Sequence, residues 1–134
     1  MSTIKKFTGS EFSFDWENVK SKDYPDGRAK GASGKVMIHP DDGAPYFLFR
    51  YFRIEPSGHS TLEDYHAHDH GVMILHGRAS VDIEGEKTEV GPKDIVYISP
   101  FEKHSLTCLG DEPLGFLCVI ANKDMLAKLK VTEE

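Results

Sequence analysis

From Lys35 to Asn122 the chain repeats one local pattern: a short run of β-branched and aromatic residues, then turn chemistry, recurring roughly every ten residues. The runs are "KVMI", "YFLFRYFRIE", "VMILHG", "ASVDIEGEKTEV", "IVYI", "HSLTCL" and "LGFLCVIAN"; between them fall "HPDDGAP", "PSG", "GPKD" and "GDEP". Helical periodicity is missing between the runs, so the pattern restricts the chain to an all-β sandwich or barrel. Alternation on both sides of Glu84-Gly85-Glu86 predicts a tight hairpin there. Residues 1–33 are mixed and polar, with Trp16 and the turn-rich "KDYPDGRAKGASG", and read as an N-terminal arm. Residues 34–122 form the barrel. In residues 123–134, Met125, Leu126 and Leu129 stand at helical spacing and predict a short C-terminal helix.

At 134 residues there is chain for one core. The formal net charge of −6, with no Lys/Arg run longer than a pair, argues against a nucleic-acid partner. No apolar run approaches the roughly 20 residues that span a bilayer, and "MSTIKKFTGSEFSF" has no secretory apolar segment. The expectation is a soluble, cytoplasmic protein without a membrane partner. Cys108 and Cys118 lack C-x-x-C spacing and read as small buried strand residues. About the turn "GDEP", Cys108 is expected opposite a residue near Gly115, leaving Cys118 further along the partner strand and the two thiols unjoined.

Chemistry concentrates in "HAHDHG", His66 to Gly71. Three histidines alternate, and on an extended strand all three imidazoles share a face. On a straight strand, however, His66 and His70 stand ~13 Å apart at Cα, whereas metal–imidazole bonds are about 2.0–2.1 Å. The two can share an ion only if the chain bends, and Asp69 or Gly71 could permit that. Otherwise two of the three bind at most. His104, in "PFEKHSL", could be delivered to the same interior by a neighbouring strand.

These motifs resemble those of the cupins, small metal-binding β-barrels. His66-Ala67-His68 matches the His-x-His pair of their first motif; His70, seven residues before Gly77, stands where a glutamate is commonest. Lys93-Asp94, "IVYI", Ser99-Pro100 and His104 match the second, with Lys93, Ser99 and Cys108 departing from the usual glycine, proline and asparagine. The similarity spans about Gly34 to Asn122. It implies a double-stranded β-helix (jelly-roll) barrel of the small single-domain bacterial cupin-2 type, and His66, His68, His70 and His104 as ligands. His68 is the member a bend would turn aside.

Imidazole ligation suits Zn, Cu, Fe and Ni better than Mg or Ca; the expectation is one divalent transition metal per chain, Zn, Ni, Fe, Mn or Cu, with an open coordination position. The resemblance implies a metal-dependent oxygenase, decarboxylase, isomerase or lyase acting on a small oxygenated organic acid, enol or sugar. Its alternative is a non-catalytic barrel that senses or stores a small molecule or metal. No general acid or base stands out beside the ligands. Arg50, Tyr51 and Tyr65 are candidates to line the cavity and hold a substrate carboxylate. Glu63 is a replacement ligand should the register shift, and His59 a turn residue within reach of the ligands. His39 and His76, before Pro40 and Gly77, read as surface residues without a role. Open strand edges and an apolar face, with the family's habit of pairing, imply a homodimer.

Overall fold

The computed structural model describes residues 2–124. Nine strands follow one another: β1 (Ser21–Asp23), β2 (Lys30–Ile38), β3 (Phe47–His59), β4 (His70–His76), β5 (Arg78–Ile83), β6 (Glu86–Val90), β7 (Ile95–Ile98), β8 (His104–Leu109) and β9 (Leu114–Ala121). They form a curled antiparallel sheet ordered β6-β5-β8-β3-β9-β4-β7, with β2 pairing β3 and β1 pairing β2. The all-β jelly-roll architecture is as expected. The C-terminal helix expected over residues 123–134 lies, beyond its first two positions, outside the described residues. No helix among them is long and apolar enough to cross a membrane.

Period-2 alternation decides what each strand buries. On β3, Arg50, Phe52 and Ile54 face the interior with Val72 and Ile74 of β4, Leu106 of β8 and Phe116 and Cys118 of β9. The hairpin between β5 and β6 turns through Glu84 and Gly85, at φ of 52° and 87°, as an I′ turn requires of both central residues. β1 and the first residues of β2 fall within residues 1–33, so that stretch supplies strands as well as an arm. The arm proper is anchored on the outer face of the sheet. Lys35 Nζ donates to the Phe14 carbonyl at 3.0 Å, and Arg53 Nε to that of Phe12 at 3.1 Å.

Two local expectations change. His76 is buried, not a surface residue: a register irregularity in the β4/β9 pairing after Ile74 turns it to the outer face, where the arm covers it. β8 and β9 do not pair across "GDEP", because β3 lies between them in the sheet. Cys108 therefore faces Ala79 of β5, whereas Cys118 faces Arg50 and Val72. Both thiols are free and buried, as expected, but through insertion of a strand and not through a hairpin offset.

Candidate metal centre

The chain between Asp64 and His70 is not a strand. It bends at Ala67 and His68, and strand pairing resumes only at His70. Three backbone hydrogen bonds and one from a side chain hold the bend in place. Asp64 and His104 exchange N–H···O bonds of 2.9 and 3.0 Å, Phe101 N–H donates to the His66 carbonyl at 2.9 Å, and His66 Nδ1 closes the turn onto the His68 carbonyl at 2.9 Å. The loop is thereby pinned to the start of β8.

The bend brings together imidazoles that a straight strand would have separated. One nitrogen from each of His66, His70 and His104 lies within 4.8 Å of the others, and Nε2 of His66 is 2.9 Å from Nε2 of His70. His104 Nδ1 meets the Glu102 carbonyl at 2.9 Å, as His66 Nδ1 meets that of His68. A carbonyl can only accept, so both Nδ1 atoms carry hydrogen and both Nε2 atoms keep a lone pair. This is the tautomer in which neutral imidazoles ligate a metal through Nε2, with the other nitrogen held by an outer partner. His70 meets Cys118 Sγ through Nδ1 at 2.9 Å. Burial, reinforced by the charges of His66, His104, His68 and Arg50, pushes the His70 imidazole down to about 2. The ring is therefore neutral at neutral pH. The donor set therefore fits a borderline transition ion.

His68 stands outside the trio of converging nitrogens, its ring parallel to that of His66 at 3.7 Å. Asp64 is the group that the sequence reading passed over in favour of Glu63. Its Oδ2 sits 3.4 Å from His66 Nε2 and 3.7 Å from His104 Nε2. Burial alone would raise this carboxyl, but the facing His66 ring, with His104 and His70 beside it, holds it below the usual range. The signal was available in principle, because Asp64 lies two residues before His66. What was missing was the bridge to His104. Glu63 is exposed, in a left-handed turn conformation at φ 50°.

His70 and His104 line a cavity of about 230 Å³ inside the barrel, walled also by Arg50, Phe52, Ser60, Thr61, Phe116 and Cys118 among others. Arg50 lines it, as expected. Tyr51, its neighbour on β3, necessarily faces the other way and lies under the arm, stacked on Phe14. Tyr65 is partly exposed and packs against Phe101, and His59 Nδ1 donates to the Ser60 carbonyl at the end of β3. His39 caps the turn that follows it.

A curled antiparallel sheet with imidazoles converging inside one end defines a class, and sequence comparison gives the same one. The profile of the Cupin domain family matches residues 50–120, and the chain belongs to that family. It is 46% identical over 71 residues to a 1-methylthio-D-xylulose 5-phosphate methylsulfurylase of Rhodospirillum rubrum. That match covers 53% of this chain, which spans only 45% of the relative's length. An uncharacterised protein of Methanocaldococcus jannaschii is 36% identical over 91 residues, covering 66% of this chain and 71% of its own. Among solved structures, a cupin-2 domain from Rhodospirillum rubrum superposes with a TM-score of 0.75 at 31% identity, covering 92% of this chain and 89% of that one.

Proposed function

We propose that the chain is a metal-dependent cupin enzyme of oxygenase, decarboxylase, isomerase or lyase type, acting inside the barrel on a small oxygenated organic acid, enol or sugar. The observation that carries this reading is the convergence of His66, His70 and His104 on one point, with Nδ1 of His66 and His104 tied to backbone carbonyls. These three are the proposed ligands. His68, stacked on His66, and Asp64 are the neighbours placed to complete the set. A divalent transition ion bound there would act as a Lewis acid and acidify a bound water.

The protein's own contribution is orientation and a dry wall. Phe52, Val72, Ile98, Leu106 and Phe116 exclude water around the polar cluster, which strengthens every charge interaction at its edge. The cavity volume suits a compact substrate. A sugar-phosphate derivative appears in the name of the methylsulfurylase relative, in keeping with an oxygenated substrate.

The reading extends to assembly and location: a cytoplasmic homodimer. Tyr97, Gly71 and Val119 lie side by side across β7, β4 and β9, as do Ile95, Met73 and Leu117. Ile95 and Tyr97 are 74% and 60% exposed, an apolar strip at the sheet's edge suited to a second copy.

Metal analysis of protein purified without added metal tests the central claim. One equivalent of a transition metal per chain, lost in both the His70→Ala and His104→Ala proteins, is expected. Full occupancy and unchanged affinity in both variants would end it. A monomer by light scattering at micromolar concentration would remove the dimer.

A further inference from the structure

Arg50 is a cation inside the barrel for which the described residues provide no carboxylate partner. It stands on β3 opposite Cys118 of β9, and its Nη2 donates to Cys118 Sγ at 3.1 Å. The guanidinium lies 4.8 Å from the centre of the Phe52 ring. Its Nε is buried without a hydrogen-bond acceptor. Ion pairs elsewhere on the chain engage Lys5, Lys35, Arg53 and Arg78, not Arg50. A half-buried guanidinium aimed along an aromatic face, with donors to spare, is an arrangement that an anionic ligand completes.

Charge accounting in the cavity gives the same direction. Arg50 is the one guanidinium of its described wall and Asp64 the one carboxylate, and Asp64 sits against His66 and His104. Adding a divalent ion at the trio leaves two positive charges unmatched in an apolar enclosure, and such an enclosure favours an anion strongly.

The position of the second charge says more. Cys118 Sγ joins Arg50 Nη2, at 3.1 Å, to His70 Nδ1, at 2.9 Å, while the Nε2 edge of His70 faces His66. The hydrogen-bonded path from the guanidinium to the point where the three histidines converge thus runs through one thiol and one imidazole.

We infer that this cavity binds a bifunctional organic anion: a metal-binding oxygen at one end, placed at the histidine trio, and a carboxylate or phosphate several atoms away, held by Arg50. Cys118 is the positioning residue of the pair, fixing the guanidinium and the His70 ring through one sulfur. The inference rests on the metal-site reading and assigns its substrate a shape and a charge.

The test pairs two probes, 2-phosphoglycolate and glycolate, which share a carboxylate end and differ in the distal phosphate. Calorimetric titration is run on the wild type and R50Q, metal-loaded and metal-stripped, with metal content measured in each. Metal-loaded wild type is expected to bind 2-phosphoglycolate at least tenfold more tightly than glycolate, and R50Q to abolish that preference while keeping its metal. A preference equal in both proteins overturns the Arg50 assignment and leaves the metal site standing. Should neither protein take up metal, the functional reading falls, and the Arg50 assignment is decided by whether stripped wild type binds 2-phosphoglycolate more tightly than stripped R50Q. A measurement needing no variant is the Arg50 Nε–H resonance of the wild type, which is expected to shift as 2-phosphoglycolate saturates. A bound probe with that resonance unmoved overturns the assignment.

Discussion

Tyr51 donates its phenolic hydrogen to Nε2 of His76 across 2.5 Å, on the side of the sheet that faces away from the cavity. The direction of the bond follows from the other nitrogen, since His76 Nδ1 meets the Pro113 carbonyl at 2.9 Å and must carry hydrogen. Phe12 and Phe14 pack on His76, and Trp16 closes over Tyr51. Burial pushes the Tyr51 hydroxyl up to about 12, so it remains a donor throughout the accessible pH range. Tyr51→Phe should leave a buried acceptor unpaired and cost about 1–3 kcal/mol in urea unfolding. Metal content should be unchanged, because the pair lies outside the cavity.

Gly115 makes that pair possible. A Cβ at this position would fall inside the His76 ring, whereas one at Gly71 would meet nothing within 4 Å. Gly115→Ala should therefore lower stability by about 1–3 kcal/mol or more through overpacking. Gly71→Ala should stay within about 0.5 kcal/mol of wild type. Equal unfolding midpoints for the two variants would contradict this packing.

Asp64 should be felt at the metal without being essential to the fold. Asp64→Asn removes the charge 3.4 and 3.7 Å from His66 and His104 while keeping the shape. Metal affinity, measured by chelator competition, should fall roughly 10–100-fold. His68→Ala should cost less than His66→Ala, His70→Ala or His104→Ala, and His39→Ala should cost nothing measurable.

Acid should destabilise the metal-free protein through two histidines. His76 is shifted below its ordinary value by burial, and His70 is pushed by burial to about 2. Below about pH 6.5 the unfolded chain takes up protons at these positions that the folded chain refuses, so stability is complete above that pH and declines beneath it. Each histidine contributes a slope of up to about 1.4 kcal/mol per pH unit until its folded value is reached. Urea midpoints should thus fall between pH 7 and 5, and a His76→Gln protein should show a shallower fall. Midpoints that do not change would contradict the neutral, buried state of both rings.

Cys108 and Cys118 are both free and buried, and burial raises both thiols. Thiol titration should give two equivalents in unreduced, denatured protein. In the native protein, reaction at pH 7.5 should be slower by orders of magnitude, because the thiolate is scarce and enclosed. Fewer than two equivalents after denaturation would indicate a disulfide.

How far the sequence could be read depended on range. Strand positions and the Glu84-Gly85 turn follow from alternation and local turn chemistry, both of which are written within a few residues. His66, His70 and His104 were legible as candidates because imidazoles in motif spacing are rare enough to notice. The role of Asp64 was not, since it depends on an isolated bridge to His104 that no local pattern encodes. His76 misled for a related reason: its place before Gly77 at a strand end reads as surface, but Phe12 and Phe14 of the distant arm cover it. Tyr51 and Arg50 could have been separated at once, as adjacent strand residues cannot both face inward.

The bond pair between Asp64 and His104, with Phe101 holding His66, also sets an order of events in folding. The hairpin of β5 and β6 needs only neighbours in sequence, but the loop from Asp64 to His70 reaches β8 across the whole of that hairpin and β7. Contacts that close a long stretch of chain form slowly. A refolding molecule will thus own its histidines well before it owns the pocket between them, and metal uptake will mark the moment the barrel closes.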